Sequence, residues 1–379
     1  MKYRKMPGSP ERLSALGLGL MRLPTAKDGK IDEPRVLEML QYAVDNGVNY
    51  FDTAWVYHRG ESEQVLGKFV AQNDRSKFYI ATKLPCWMVK QESDAADYLE
   101  KQLEKLQTDY IDYYLLHSLH DTAWKEMRRL KVPAWLEKAR SDGKIRHIGF
   151  SFHDKYPVFK KIVNGFDWEF CQFMFNYLDT HYQAGLNGYR LAVEKCLGVI
   201  AMEPLRGGKL VQSIPLDIES VWKKSSHAWT PVQRALNWVW DHPGCTVALS
   251  GMSSLEQLQE NVRLANSAKA GLLDEKELKI YNRARLEYLR RIPVPCSECG
   301  YCLPCPHKVA IPEVFGHYNE AVMFNQKRRH KQEYLAWIPE DSRADKCVNC
   351  GACVPKCTQQ INIPERMKDV AKYFSEDKE

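Results

Sequence analysis

Ile111-Asp112-Tyr113-Tyr114-Leu115-Leu116-His117 is a nearly continuous apolar run, rich in aromatic and branched side chains, that ends in a histidine. Such a run predicts a strand buried on both faces, as in a parallel sheet. Upstream lie three more runs: Phe78-Tyr79-Ile80-Ala81-Thr82-Lys83, Val48-Asn49-Tyr50-Phe51-Asp52 and Leu13-Ser14-Ala15-Leu16-Gly17-Leu18-Gly19. Downstream come Ile145-Arg146-His147-Ile148-Gly149-Phe150-Ser151, Phe170-Cys171-Gln172-Phe173-Met174-Phe175, Leu197-Gly198-Val199-Ile200-Ala201-Met202 and Thr246-Val247-Ala248-Leu249-Ser250. Helical periodicity between the runs marks βαβ units. Eight such units predict a closed (β/α)8 TIM barrel with its chemistry at the strand ends, and a barrel takes about 250 residues as one domain. The 379 residues therefore leave room for a second, smaller domain.

Helix signals agree with this spacing. Asp32-Glu33-Pro34 opens a helix through Val36, Leu37, Leu40 and Val44, and Gly47 closes it. Ser254 is placed to cap Leu255-Glu256-Gln257-Leu258, and 274–291 form a last amphipathic helix with Leu278, Tyr281 and Leu289 along one face. Ile292-Pro293-Val294-Pro295 breaks that pattern. The expected domains are a barrel over 1–291 and a second domain over 292–379.

Composition is that of a globular protein: 44% hydrophobic, 27% charged, net charge +6. The basic run Lys327-Arg328-Arg329-His330-Lys331 reads as a solvated helix face, and no nucleic-acid partner is expected. No run approaches the roughly 18 apolar residues of a membrane span, and Met1 to Gly8 show no leader-type apolar segment, so a cytoplasmic protein without a membrane partner is expected. Of the 12 cysteines, eight crowd into 296–357; Cys86, Cys171, Cys196 and Cys245 sit singly among apolar residues and read as small buried hydrophobes.

Four polar residues fall at or just past strand ends: Asp52 and Tyr57 after the second strand, Lys83 after the third, His117 after the fourth. A barrel brings neighbouring strand ends side by side. A tyrosine is a poor acid or base at neutral pH, but a nearby ammonium favours its phenolate and lowers its pKa. Lys83 supplies that ammonium, Asp52 fixes it, and His117 can hydrogen-bond a carbonyl oxygen while Tyr57 protonates it.

The run Phe51-Asp52-Thr53-Ala54-Trp55-Val56-Tyr57-His58-Arg59-Gly60-Glu61-Ser62-Glu63 resembles the signature of the aldo-keto reductases, as do Ala81-Thr82-Lys83, Leu115-Leu116-His117, Gly149-Phe150-Ser151 and Gly251-Met252-Ser253-Ser254 with Asn261 beyond. The resemblance covers 1–290 and implies Asp52, Tyr57, Lys83 and His117 as the catalytic tetrad, NAD(P)H as hydride donor, and a small carbonyl or alcohol substrate. It implies that Ser151, Gln172 and Asn176 hold the nicotinamide carboxamide. Gly207, Gly208 and Leu210 would cover the pyrophosphate, and Gly251, Ser253, Gln257 and Asn261 would line the adenosine loop. Met202, followed by Pro204 and Leu205, stands where the family usually stacks an aromatic on the nicotinamide. Ser253 and Gln257 stand where a basic residue often meets a 2′-phosphate, which weakens the preference for NADPH over NADH. Ser118-Leu119 follows His117 where a tryptophan is common, so the substrate wall is altered.

The remaining cysteines form two runs: Cys296, Cys299, Cys302 and Cys305, then Cys347, Cys350, Cys353 and Cys357. C-x2-C-x2-C wraps three thiolates around one cube while a fourth comes from elsewhere, so two [4Fe–4S] clusters are expected; tetrahedral zinc is the alternative. The runs resemble a two-cluster ferredoxin, and the helical character between them is similar to the α-helical ferredoxins. That resemblance implies crossed sets: Cys296, Cys299, Cys302 and Cys357 for one cluster, and Cys347, Cys350, Cys353 and Cys305 for the other. The second run ends in Thr358 rather than proline, and the first is one residue shorter before its last cysteine.

Two readings follow. In one, the chain is an oxidoreductase whose clusters feed or drain electrons through a ferredoxin or other carrier. In the other, it is an electron-transfer or redox-sensing protein that uses the barrel as a docking platform. Hydride carries two electrons and a cube moves one; a flavin between them would reconcile the counts, but no flavin motif is readable.

Overall fold

The computed structural model describes residues 1–376; 377–379, the end of the expected second domain, lie outside the described residues. The chain divides into two compact units, one of 1–208 with 229–274, the other of 209–228 with the chain from 275 onward.

In the first unit an antiparallel hairpin, β1 (Tyr3–Lys5) and β2 (Arg12–Ser14), precedes eight parallel strands. These are β3 (Leu16–Gly19), β4 (Tyr50–Asp52), β5 (Tyr79–Leu84), β6 (Ile111–Leu119), β7 (Ile145–Phe152), β8 (Phe170–Met174), β9 (Gly198–Met202) and β10 (Cys245–Gly251). They close in sequence order, with β10 pairing β3, as the eight runs predict. Between them lie α1 (Glu33–Asp45), α2 (Ser62–Val70), α3 (Asp94–Leu106), α4 (Asp121–Arg129), α5 (Val132–Ser141), α6 (Tyr156–Val163) and α7 (Gly185–Glu194). The caps follow the sequence: Asp32 accepts from the Arg35 N–H at the start of α1.

The barrel interior is packed. Tyr50, Ala81, Tyr113, Leu115, Phe170, Ile200 and Val247 form one buried cluster, which Met6 and Leu13 of the hairpin segment join. Gly198 lets the Met6 thioether pack close to the backbone of β9, and a Cβ there would oblige that side chain to move.

The second unit contains α8 (Leu216–Trp222); α9 (Pro231–Asp241) and α10 (Leu255–Ala265) return to the first. Ser254 caps α10 by accepting from the Gln257 N–H. The second unit resumes with α11 (Glu275–Arg290), α12 (Ile311–Met323), α13 (Lys327–Trp337) and α14 (Ile363–Ser375). The sequence reading misplaces the inner face of α11: Leu278 and Leu289 are exposed, and the buried face carries Glu277, Ile280, Tyr281, Ala284 and Tyr288. The cause is polar as well as apolar, since the Glu277 carboxylate accepts from Ser225 and Ser226, just past the end of α8. No helix among the described residues is long and apolar enough to cross a membrane.

Candidate functional site

β4, β5 and β6 are adjacent and parallel, so Asp52, Lys83 and His117 emerge at one end of the barrel. Lys83 is fully buried, and its ammonium donates to Asp52 Oδ1 (2.6 Å), the Thr53 carbonyl (2.8 Å) and the Tyr57 hydroxyl (3.3 Å). Tyr57 lies on a short turn in which His58 and Arg59 take positive φ, at 48° and 58°. His58 Nε2 accepts from the Leu23 N–H and ties that turn to the loop after β3. The Tyr57 and His117 rings meet edge to face, 6.1 Å apart.

His117 is positioned by an irregularity in β6. Pairing with β7 shifts register between Leu116 and Leu119, Ser118 has φ 54°, and the Ser118 N–H donates to Ser151 Oγ at 2.8 Å. A buried carboxylate supports the lysine from behind: Glu63 accepts from Thr82 Oγ1 and Gln102 Nε2, and that same Nε2 donates to the Lys83 carbonyl.

Burial opposes the Lys83 charge, but Asp52 and Tyr57 outweigh it and raise the lysine pKa. Burial raises the Tyr57 pKa and the Lys83 ammonium only partly offsets it, so the net shift is upward rather than the lowering expected from the ammonium alone. Burial, then Lys83, push His117 well below the usual imidazole value. At neutral pH the group is a charged Lys83 with a protonated Tyr57 and a neutral His117.

The residues expected around a nucleotide divide by what occupies them. Gln172, in β8, is fully buried with neither amide atom in a well-formed hydrogen bond, and it lies close enough to Asp52 to favour that carboxylate. Asn176 is engaged within the protein: its amide donates to Asp179 Oδ2 and the Glu203 carbonyl, and its oxygen accepts from the Leu178 and Asp179 N–H groups. Met202 ends β9 half-buried, Pro204 is buried, and Leu205 begins a turn containing Gly207 and Gly208 at φ 62° and 88°. Leu210, also buried, belongs to the second unit. Beyond β10, Ser253 N–H and Oγ pair with Gln257 Oε1, and Asn261 donates to Ser250.

Two residues of this end escape the sequence reading. Trp87, just past β5, sets its indole 5.1 Å from the His117 ring, supplying an aromatic wall that Ser118-Leu119 lack. Arg22 lies along Gly251, whose Cβ would come within 3.4 Å of the arginine stem. The available signal was placement: both follow strands at the reactive end.

In the second unit the eight cysteines line two small cavities. Cys296, Cys299, Cys302 and Cys357 surround one, and Cys305, Cys347, Cys350 and Cys353 the other. Ile311 and Ile363 border both. Each run bends the same way: Glu298 and Gly300 flank Cys299 with positive φ, as Asn349 and Gly351 flank Cys350. Such turns point successive sulfurs inward. The repeat continues, since Cys305 leads after six residues to Ile311-Pro312-Glu313 and Cys357 after six to Ile363-Pro364-Glu365, opening α12 and α14. This internal repeat was legible in the sequence. Thr358, where proline was expected, lies 3.6 Å from the Cys299 sulfur. Of the single cysteines, Cys86, Cys171 and Cys245 are buried with thiol pKa values pushed up by burial, whereas Cys196, expected to be buried, is exposed on the turn between α7 and β9.

Fold and buried group together define the class, a (β/α)8-barrel oxidoreductase. Residues 15–282 match the model of the Aldo/keto reductase family, and the protein belongs to that family. Residues 295–361 match the 4Fe-4S dicluster domain, so the chain carries an iron–sulfur domain as well. Among curated relatives, the chain is 27% identical over 311 residues to the uncharacterised oxidoreductase YqkF of Bacillus subtilis, covering 74% of this chain and 95% of the relative. Its fold is similar to that of an aldo-keto reductase of Bacillus halodurans in holo form, with TM-score 0.64 and 24% identity over 75% of this chain and 96% of the other. It is also similar to an aldo-keto reductase of Klebsiella pneumoniae in complex with NADPH, with TM-score 0.59 and 24% identity over 75% and 95%.

Proposed function

We propose that the barrel reduces an aldehyde or ketone, or oxidises the alcohol in reverse, with NAD(P)H. The observation that carries this reading is the sealed Lys83 ammonium, 2.6 Å from Asp52 and 3.3 Å from the Tyr57 hydroxyl. When bound, the nicotinamide supplies hydride to the carbonyl carbon. Tyr57 delivers its proton to the carbonyl oxygen, and Lys83 offsets the charge left on the phenolate. The neutral His117 imidazole orients the carbonyl, with Trp87 as a wall beside it. The unpartnered amide of Gln172 matches a carboxamide in offering one donor and one acceptor, with Ser151 beside it in the register of β7 and β8. Met202, Pro204, Leu205, Gly207, Gly208, Gly251, Ser253, Gln257 and Asn261 would hold the rest. Asn176 shapes the turn to Glu203 through its own hydrogen bonds.

The two cysteine sets suit two [4Fe–4S] clusters, which supply one-electron transfer and call for an electron carrier as partner. Thiolate ligation suits a reducing cytoplasm.

Tyr57→Phe tests the reading. It deletes one proton donor and little volume, and is expected to lower kcat by about 10²–10⁴ while nucleotide binding and the cluster spectrum persist. Near-full turnover in this variant would remove Tyr57 from the mechanism.

A further inference from the structure

α12 and α13 are joined by a three-residue connection, and the seam between them holds a polar cluster apart from both cysteine sets. His317 comes from α12; His330 and Glu333 come from α13, three residues apart and so on one helical face. One ligand-competent atom from each lies within 4.8 Å of the other two. His330 belongs to the basic run that the sequence offers as a solvated face, yet it is fully buried. Neither of its ring nitrogens has a hydrogen-bond partner. Nδ1 lies 3.3 Å from Glu333 Oε2 and 3.7 Å from Glu320 Oε2, outside hydrogen-bonding geometry.

Packing does not account for that imidazole. A buried polar atom without a partner costs about 1–3 kcal/mol, and an apolar side chain of similar size would fill the seam without the penalty. We propose that His317, His330 and Glu333 form a site for a divalent transition-metal ion, of which zinc is the best match. Two imidazoles with one carboxylate is a common zinc set, leaving a fourth position to water. Ligand atoms about 2.0–2.2 Å from a tetrahedral ion sit roughly 3.4 Å from one another, the spacing His330 and Glu333 already have. Rotation of the half-buried His317 side chain closes the third edge.

The neighbouring charges leave the metal-facing oxygen usable. Glu333 engages Arg329 through Oε1 at 3.0 Å, which leaves Oε2 toward His330. Lys209 is the competing cation, 3.8 Å from Glu333 Oε2, but its closer partner is Glu320 at 2.5 Å.

The test uses the full chain, prepared anaerobically with its clusters loaded and dialysed against zinc, with zinc, iron and sulfide assayed together. The expected result is about one zinc per chain with iron unchanged, and its loss in both His317→Ala and Glu333→Gln, which keep the parent's iron content and visible spectrum. The glutamine variant preserves volume and guards against a folding defect. Zinc also raises the melting temperature of the parent and not of the variants. Absence of zinc binding, zinc gained only at the expense of iron, or equal zinc in parent and variants would each overturn the site.

Discussion

Lys83 and Asp52 form an ion pair at 2.6 Å with both side chains essentially sealed from solvent. Breaking a buried pair strands one charge, whereas removing both partners does not. Asp52→Leu is expected to cost about 3–5 kcal/mol in denaturant unfolding, and adding Lys83→Met should recover part of that loss. Neither variant should reduce a carbonyl substrate. A double variant as unstable as the sum of the two single ones would show that the pair does not act as a unit.

The protonation states bear on how the rate depends on pH. Tyr57 is shifted upward from 10.0 and His117 well downward from 6.5, in both cases first by burial. The acid form of Tyr57 is lost only as pH rises through its raised pKa, and neutral His117 only as pH falls through its depressed one. Single-turnover reduction should therefore be flat between 6.5 and 10.0. A limb inside that window, measured on saturated enzyme, would contradict these assignments.

Anaerobically prepared protein should contain about eight iron and eight sulfide, as two cubes require. Because the sulfurs fall into crossed sets, Cys357→Ala should disturb the same cluster as Cys299→Ala, and Cys305→Ala the same one as Cys350→Ala. Electron paramagnetic resonance of the four reduced variants distinguishes this pairing from one cluster per run. Zinc in the cysteine sets without sulfide would remove the clusters altogether.

In the loop after β10, proposed above to hold the adenosine, Ser253 and Gln257 are bonded to each other and neither carries a charge. NADH and NADPH are thus expected to bind comparably, with Arg22→Ala weakening both. A hundredfold preference for NADPH, about 2.7 kcal/mol, would instead place a cation on the 2′-phosphate.

His147 shows the opposite shift. His147 stacks on Tyr113 and lies between Glu169 (2.5 Å) and Glu11 (3.1 Å). Burial works against its charge, but the hydrogen bonds to Glu11 and Glu169 prevail and raise its pKa to about 9. A raised folded-state pKa gives stability that is fully present below the unfolded value near 6.5 and lost as pH climbs through about 9. Unfolding free energy should fall across that window by up to roughly 3 kcal/mol, and His147→Gln should flatten the profile.

How much of this was legible beforehand depends on the range of the interaction. Eight apolar runs with helices between them predict the barrel because burial on both faces and helical periodicity are local patterns, and parallel strands in sequence order bring Asp52, Lys83 and His117 together with little further choice. The spacing of the cysteines likewise marks an iron–sulfur module within a few residues. Tertiary structure decided what depends on distant chain segments meeting: that the ring beside His117 is Trp87 rather than a residue next to it in sequence. It also decided that burial outweighs the lysine at Tyr57, and that His330 of a basic run is drawn into a helix seam. Desolvation and side-chain packing are sums over neighbours from the whole fold, so no window of sequence contains them.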